Sequence, residues 1–450
     1  MKLTVYVCGQ AVATLDQLGD FESVLSYYPE IASHQMVSLT MPVRTKSYVW
    51  KGALPPFFQM NLPEGYLLQV LQEQLGPVVG GDPTTLLSVV GRAMVGRVQV
   101  AGPGANLTET VRPLEIARVL HGDNSEQLFA RLVHEYATSG VSGVVPKFLD
   151  AQHAQSARRG QIKGSLITRR HIVKGSTRFP YLALNEHLCM QVVRAVMPAA
   201  RTTVSDDGHA LVVDRFDLDD QGERHWAIED FCALLGLRPE AKYDTTWERI
   251  AKAVRDLVPG EHQRETMLGL TKLLLLTYAL RNADCHSKNI ALRYTNPNDP
   301  HLAPAYDMVT TVAYPGFEQS PPGLSFLGKR TWTPGKNLER FVVATLGIQA
   351  KDQRRIVEEI GDAMTRVNTE LVQASDRWPA FRETAKRMAL AWGDGIAGLR
   401  SRRVFALTPN LTTHVDELKF GQDFSPPIHP GESGTTASPG TSRLKGDGEG

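Results

Sequence analysis

Apolar and polar residues alternate where the chain begins: Leu3, Val5 and Val7 against Thr4 and Tyr6. Period-two alternation predicts a strand with one face buried. Residues Val37 to Val49 repeat it. After Phe57-Phe58-Gln59-Met60-Asn61-Leu62-Pro63-Glu64-Gly65 the pattern changes to a helical run, Tyr66 to Leu75. Asn61 or Pro63 can open that helix, and Gly76 with Pro77 ends it. Residues 1–110 therefore predict a small α+β unit. A longer body follows, from Leu114 to Thr408. Strands and turns come first, then a helix over Leu182 to Val196. From Ala227 the pattern is mostly helical, with 3.6-residue periodicity over Leu257 to Ala279 and Lys351 to Val372. Strands followed by helices predict a bilobal α+β body with a cleft between its lobes. The expected divisions are 1–110, 111–226, 227–420 and a tail, 421–450. That tail is rich in Pro, Gly, Ser and Thr and nearly lacks apolar residues, a composition that predicts disorder.

Composition narrows the class of protein. The 450 residues are 42% hydrophobic and 22% charged, with a formal net charge of +1. That is an ordinary globular balance, and it excludes a global electrostatic grip on nucleic acid. Cys8, Cys189, Cys232 and Cys285 are far apart and form no CxxC pair, which argues against a disulfide framework or a structural zinc site. A reducing cytoplasm suits such usage. The first residues read as a strand and not as a signal peptide. The most apolar run, Met267 to Leu280, is too short to span a bilayer and contains Lys272, so it reads as a buried helix.

The chemistry gathers around Asp284-Cys285-His286-Ser287-Lys288-Asn289. Protein kinases use Asp-x-x-x-x-Asn, in which the Asp accepts the acceptor hydroxyl's proton and the Asn holds magnesium. Taken alone, the pair reads better as a turn that ends a helix. A second acid, Asp307, follows a strand-like Ile290 to Tyr294 and a turn, and Asn289 and Asp307 are the hard oxygen donors that magnesium takes. Upstream, Lys174 closes the strand-like His171-Ile172-Val173-Lys174, where it can pair with α/β-phosphates. Glu186 lies twelve residues on in a helix, placed to pair with that lysine. Earlier still, Ser139-Gly140-Val141-Ser142-Gly143-Val144-Val145-Pro146-Lys147 allows a tight turn whose amides face phosphate oxygens, without a Walker A ending. Trp226 to Cys232 lies where an adenine-binding hinge would connect the lobes, and it reads equally well as an N-cap leading into a core helix. Arg215 is expected in a structural salt bridge, and Arg169-Arg170 at a solvated strand end. His286 stands where it can orient Asp284 or a phosphate.

Together these residues resemble the HipA family, the toxin serine/threonine kinases of bacterial toxin–antitoxin pairs. The resemblance runs over residues 1–400 and is carried by Phe57 to Gly65, Ser142 to Lys147, His171 to Lys174, Asn185-Glu186, Asp214 to Asp217, Glu229 to Cys232, Asp284 to Asn289 and Tyr306-Asp307. It implies a HipA-like, protein-kinase-like fold. By that resemblance Asp284 is the catalytic base, and Asn289 and Asp307 ligate Mg2+. Lys174 contacts the phosphates of ATP. Ser142, Gly143, Val144, Val145, Pro146 and Lys147 form the nucleotide loop, and Glu229, Asp230 and Phe231 the adenine hinge. His286, Ser287, Lys288, Asn289, Tyr306 and Asp307 line the nucleotide. It further implies an aminoacyl-tRNA synthetase as protein substrate, a helix-turn-helix antitoxin of the HipB kind, and contact with DNA only through that antitoxin. Family members inactivate themselves by phosphorylating a loop serine, here Ser142, with Ser139 behind it. The loop departs from the family in carrying Val145 where Gln is frequent. Cys285 replaces the small residue usual after the Asp. A small-molecule kinase and an inactive kinase-like co-repressor are the rival readings.

Overall fold

A computed structural model describes residues 1–19, 22–52, 54–62, 82–105, 107, 115–124, 163–176, 179–332 and 336–400. The glycine loop with Ser139 and Ser142 to Lys147, the expected helix Tyr66 to Leu75, and the tail 421–450 lie outside them.

The first unit is a five-stranded antiparallel sheet. Its strands are β1 (Lys2–Val7), β2 (Gln10–Leu18), β3 (Glu22–Tyr27), β4 (Tyr48–Lys51) and β5 (Val98–Ala101), in the order β4-β3-β2-β1-β5. Leu3, Val5, Leu15, Leu25 and Val100 turn to one side, where α1 (Pro56–Met60) and α2 (Pro83–Val90) cover them with Phe57, Phe58 and Leu87. The alternation over Val37 to Val49 does not make one strand; only Tyr48 onward joins the sheet, against β3. The physical reason is Tyr27. Its hydroxyl accepts from Val37 N at 2.8 Å and donates to Met41 O at 2.5 Å, so the backbone is satisfied without a ladder. Asn61 closes α1: its side-chain amide donates to Phe57 O at 2.8 Å.

A four-stranded antiparallel sheet follows after α3 (Ile116–His121). It is formed by β6 (Lys163–Ile167), β7 (His171–Ser176), β8 (Thr202–Val204) and β9 (Ala210–Asp214), in the order β6-β7-β9-β8. Helix α4 (Leu182–Arg194) lies between β7 and β8 in the chain. A three-stranded sheet, β10 (Ala227–Asp230), β11 (Ala291–Tyr294) and β12 (His301–Leu302), joins this region to the helices. Those are α5 (Phe231–Leu234), α6 (Trp247–Leu257), α7 (Gly260–Ala279), α8 (Lys336–Phe341), α9 (Ala350–Arg377) and α10 (Arg382–Leu399). The periodicity expected from Leu257 belongs to two helices, because Pro259 stands as the N-cap of α7 and cannot continue α6. Helix α7 is buried as its sequence predicts, and it packs with α4, α9 and α10 around Leu188, Leu274, Ile360 and Trp392. At Gly395 an added Cβ would overlap the Ala279 carbonyl, so this glycine sets how closely α10 crosses the end of α7. No helix among the described residues is long and apolar enough to cross a membrane.

Candidate active site

Hydrogen bonds from buried charged side chains fasten the first unit to the rest. The Glu229 carboxylate, buried on β10, accepts from the Ser38 hydroxyl, from Leu39 N at 3.0 Å and from the Tyr294 hydroxyl at 2.9 Å. Burial holds its pKa up against those donors. Arg215 and Asp217 form a two-contact pair, with Nε to Oδ1 at 3.0 Å, and Asp217 Oδ2 also takes Gly96 N at 2.7 Å. This is the structural salt bridge expected of Arg215. Arg224 donates to the carbonyls of Met94, Gly96 and Arg92. Arg169 pairs with Glu223 at 2.6 Å, both well exposed, as a solvated strand end does.

Of the two readings open to the hinge segment, local structure shows the N-cap leading into a core helix. Asp230 caps α5, accepting from Ala233 N at 2.9 Å, and burial pushes its carboxyl up to about 7. Phe231 is fully buried, and its N–H donates to Ile290 O at 2.9 Å. The side chains of Glu229, Asp230 and Phe231 are occupied by the domain junction, the cap and the core. A nucleotide contact from this stretch would come from backbone.

Lys174 is held in the middle strand pair of the second sheet, opposite Ser165 on β6 and Leu211 on β9. Its Nζ lies 2.7 Å from Glu186 Oε1 on α4 and 2.6 Å from Asp307 Oδ1. Burial works against its charge, but Asp307 and Glu186 outweigh it and hold the ammonium above its usual range. Asp307 has φ +57°, a left-handed conformation uncommon outside glycine. Its neighbour Tyr306 is anchored by a hydroxyl bond to Lys288 O at 2.7 Å and packs on Phe216 with ring centres 5.8 Å apart.

The loop carrying Asp284 begins where α7 stops. Arg281 turns left-handed at φ +53°, and Asn282 N donates back to Thr277 O at 3.0 Å. Asn282 is fully buried and brackets two loops. Its Oδ1 accepts from Asp284 N at 3.0 Å and from the Thr311 hydroxyl at 3.3 Å. Asp284 Oδ1 receives the Tyr243 hydroxyl and lies 3.9 Å from His286 Nε2. Burial lowers the His286 pKa to about 4, so the ring is neutral near pH 7 and no charged partner for Asp284. Ser287 donates N and Oγ to Lys242 O at 3.1 and 2.7 Å. Asn289 donates its amide nitrogen to Asp284 O at 3.0 Å, which directs its oxygen the other way.

The structure therefore brings together Lys174, Glu186 and Asp307 as one ion cluster, and Asp284, His286 and Asn289 as one loop. The charges of Asp284 and Asp307 act on the same three groups, Tyr243, Cys285 and His286, so the two acids share one neighbourhood. An Asn289 amide oxygen and an Asp307 carboxylate are hard donors of the type magnesium takes, so the residues fit that ion. Sequence reasoning passed over Tyr243 and Asn282. The signal for Asn282 was legible: an Asn two residues before Asp284 is the spacing of an Asx turn.

Comparisons with known proteins bear on the family and the fold. Residues 3–101 match the model of the HipA N-terminal domain, and residues 139–368 match that of the HipA-like C-terminal domain. The chain belongs to the HipA family. Two relatives come from Sinorhizobium fredii (strain NBRC 101917 / NGR234). "Putative kinase Y4dM" is 27% identical over 347 residues, 69% of this chain and 78% of that protein. "Putative kinase Y4mE" is 29% identical over 317 residues, 65% of this chain and 72% of that protein. Among solved structures, HipA of Shewanella oneidensis MR-1, in complex with HipB and its operator DNA, superposes with a TM-score of 0.61 at 20% identity. The match covers 89% of this chain and all of that one. The bilobal α+β HipA-like fold is thereby shown for this chain.

Proposed function

We propose that this HipA-family chain is an ATP-dependent serine/threonine protein kinase that acts in the cytoplasm as a growth-inhibiting toxin. The observation that carries the reading is Lys174 held between Glu186 and Asp307, because a lysine fixed by a helix glutamate and facing a metal-binding aspartate is the phosphate-binding arrangement of protein kinases. Magnesium-bound ATP would supply the γ-phosphoryl group and the charge neutralisation for its transfer. Lys174 would hold the α/β-phosphates, and Asn289 and Asp307 the magnesium. Asp284 would accept the proton of the acceptor hydroxyl, whose oxygen forms the new bond to phosphorus while ADP departs. Positioned base catalysis of this kind contributes typically 10²–10⁴-fold. The backbone of Glu229 to Phe231 would meet the adenine.

The protein substrate in this reading is an aminoacyl-tRNA synthetase. The regulatory partner is a helix-turn-helix antitoxin, a reading supported by the HipB and operator DNA bound in the Shewanella HipA complex. Ser142 would be the self-phosphorylated residue. A phosphate there adds roughly −1.5 to −2 charge beside the ATP phosphates and would repel them. The test is phosphoproteomics after brief induction, comparing the wild type with Asp284→Gln. One new phosphoserine on a synthetase, absent with Asp284→Gln, is the expected result. Phosphorylation unaffected by Asp284→Gln overturns the assignment, and phosphate on this chain alone points to a small-molecule acceptor. Self-inactivation at Ser142 fails if Ser142→Ala gains phosphate and loses activity at the wild-type rate.

A further inference from the structure

Tyr243 lies forty-one residues before Asp284, in the segment between the 3-10 turn Pro239–Ala241 and α6, and its hydroxyl donates to Asp284 Oδ1. Its own backbone is fixed from two sides. On one side, Lys242 O accepts both the N–H and the hydroxyl of Ser287, three residues beyond Asp284. On the other, Arg330 Nη2 donates to Tyr243 O at 2.6 Å and to Gly323 O at 2.7 Å. The ring is fixed as well. It meets the His286 ring edge-on at 4.9 Å between centres, with Arg330 5.8 Å and Lys242 Nζ 5.6 Å from its own centre. A ring held at its backbone, edge and faces has little freedom, so its hydroxyl is a fixed point in space.

We propose that Tyr243 is a positioning residue for Asp284: it holds the carboxylate in the rotation from which an acceptor hydroxyl can hand over its proton. An aspartate on a loop turns freely about its last bond unless something holds it, and a hydrogen bond from a rigid donor to one oxygen removes that freedom. The other oxygen then has a defined direction. Proton transfer is sensitive to such alignment, because reacting groups must sit within about 3–3.5 Å in line. Burial and the nearby charge of Asp284 hold the Tyr243 phenol above its ordinary pKa, so it remains a donor throughout the working range. His286 supports the ring from the side while facing the same carboxylate oxygen, so three residues define one orientation.

The proposal rests on Asp284 being the base, and the experiment separates the two. The purified full chain is assayed for ADP release from magnesium–ATP with casein as the hydroxyl acceptor, and ATP affinity is measured separately by displacement of a fluorescent ATP analogue. Tyr243→Phe keeps the ring and all its packing and removes only the hydroxyl. It is expected to lower kcat about 10- to 100-fold, the range for losing one hydrogen bond to a charged group, while KM for ATP and ATP affinity stay at wild-type values. Asp284→Asn is expected to lose kcat more deeply, and adding Tyr243→Phe to it to cost nothing further. A wild-type kcat in Tyr243→Phe beside an inactive Asp284→Asn overturns the role of Tyr243 and leaves the base in place. A parallel loss of ATP affinity in Tyr243→Phe, or a full additional loss in the double variant, also overturns it, since either shows the hydroxyl acting on the site at large. Full activity in Asp284→Asn overturns the base assignment itself.

Discussion

Lys174 and Asp307 are 133 residues apart in sequence and 2.6 Å apart in space, and Glu186 lies 2.7 Å from the same nitrogen. One ammonium therefore joins the second sheet, the helix behind it and the loop after β12. Lys174→Met removes that charge and leaves two carboxylates around an apolar side chain. Breaking a buried ion pair from one side typically costs about 3–5 kcal/mol. The expected outcome is a fall in unfolding free energy toward that range together with loss of ATP binding. Lys174→Met with Glu186→Gln should recover part of the stability, since one of the two stranded charges is gone, and none of the binding. Urea unfolding and nucleotide titration of the two variants check both statements.

Glu229 makes a different kind of junction. Its carboxylate satisfies a hydroxyl and a backbone N–H from the first unit, at Ser38 and Leu39, and the Tyr294 hydroxyl of β11. Glu229→Leu leaves three buried donors facing a hydrocarbon, at about 1–3 kcal/mol for each one stranded. It is expected to destabilise the chain by several kcal/mol, and Ser38→Ala by no more than about 2 kcal/mol. Chemical denaturation measures the difference. Equal effects from the two variants would show that the junction does not depend on the carboxylate.

The difference between Lys174 and Tyr243 explains how far the sequence could be read. Asp284-x4-Asn289, Asp307, Lys174 and Glu186 were legible because a kinase needs those residue types in that chain order, and each lies near the end of a strand or helix that its own pattern predicts. Tyr243 carries no such pattern. Its contact with Asp284 exists only because the segment around Lys242 folds back onto Ser287, a closure across forty-odd residues that no local periodicity encodes. Ser38 and Glu229 are the same case across 191 residues. The strand misread over Val37 to Val49 failed for a related reason. Val37 and Met41 are buried one by one, with Val37 N and Met41 O bonded to the Tyr27 hydroxyl, Leu39 N to Glu229 and Thr40 N to Ser38 Oγ instead of to a partner strand. Alternation reports burial of alternate residues and says nothing of where the backbone bonds go.

The response of His187 to acid has a definite sign. His187 on α4 has both ring nitrogens engaged, Nδ1 with the Thr202 hydroxyl at 2.9 Å and Nε2 with the Gln191 side-chain nitrogen at 3.3 Å. Burial, then Arg194, lowers its pKa to about 4. The unfolded chain takes up that proton near pH 6.5 and the folded chain only near 4, so in this window the unfolded state binds more protons. Stability is full above pH 6.5 and falls as the pH drops toward 4, by up to about 3 kcal/mol for this residue at 1.36 kcal/mol per unit. His286, also lowered to about 4, adds a second loss of the same sign. Asp230, whose carboxyl burial raises to about 7, acts with the opposite sign over the same window, so the share of His187 is read by difference: going from pH 6.5 to 4.5, the melting temperature of His187→Gln should fall less, or rise more, than that of the wild type. A change equal to that of the wild type would remove His187 from the account.

Gly323 offers the sharpest test of how finely the Asp284 loop is placed. An added Cβ would overlap the Cys285 carbonyl and stand 3.0 Å from the Ala283 carbonyl, both backbone atoms beside Asp284. Neither can rotate away as a side-chain tip would, so the loop or the Gly323 segment must shift. The same segment supplies Gly323 O to Arg330, which also holds Tyr243 O, so a shift is carried to both sides of the carboxylate. A displacement near 1 Å at a reacting group can cost on the order of 10²-fold in rate. Gly323→Ala is therefore expected to lower kcat by one to two orders of magnitude while ATP affinity changes little, because Lys174, Glu186 and the β10 hinge are not among the atoms its Cβ would meet. The comparison to make is kcat against ATP affinity in one preparation. If both fall together, the overlap has disturbed the whole cleft and not the Asp284 loop alone.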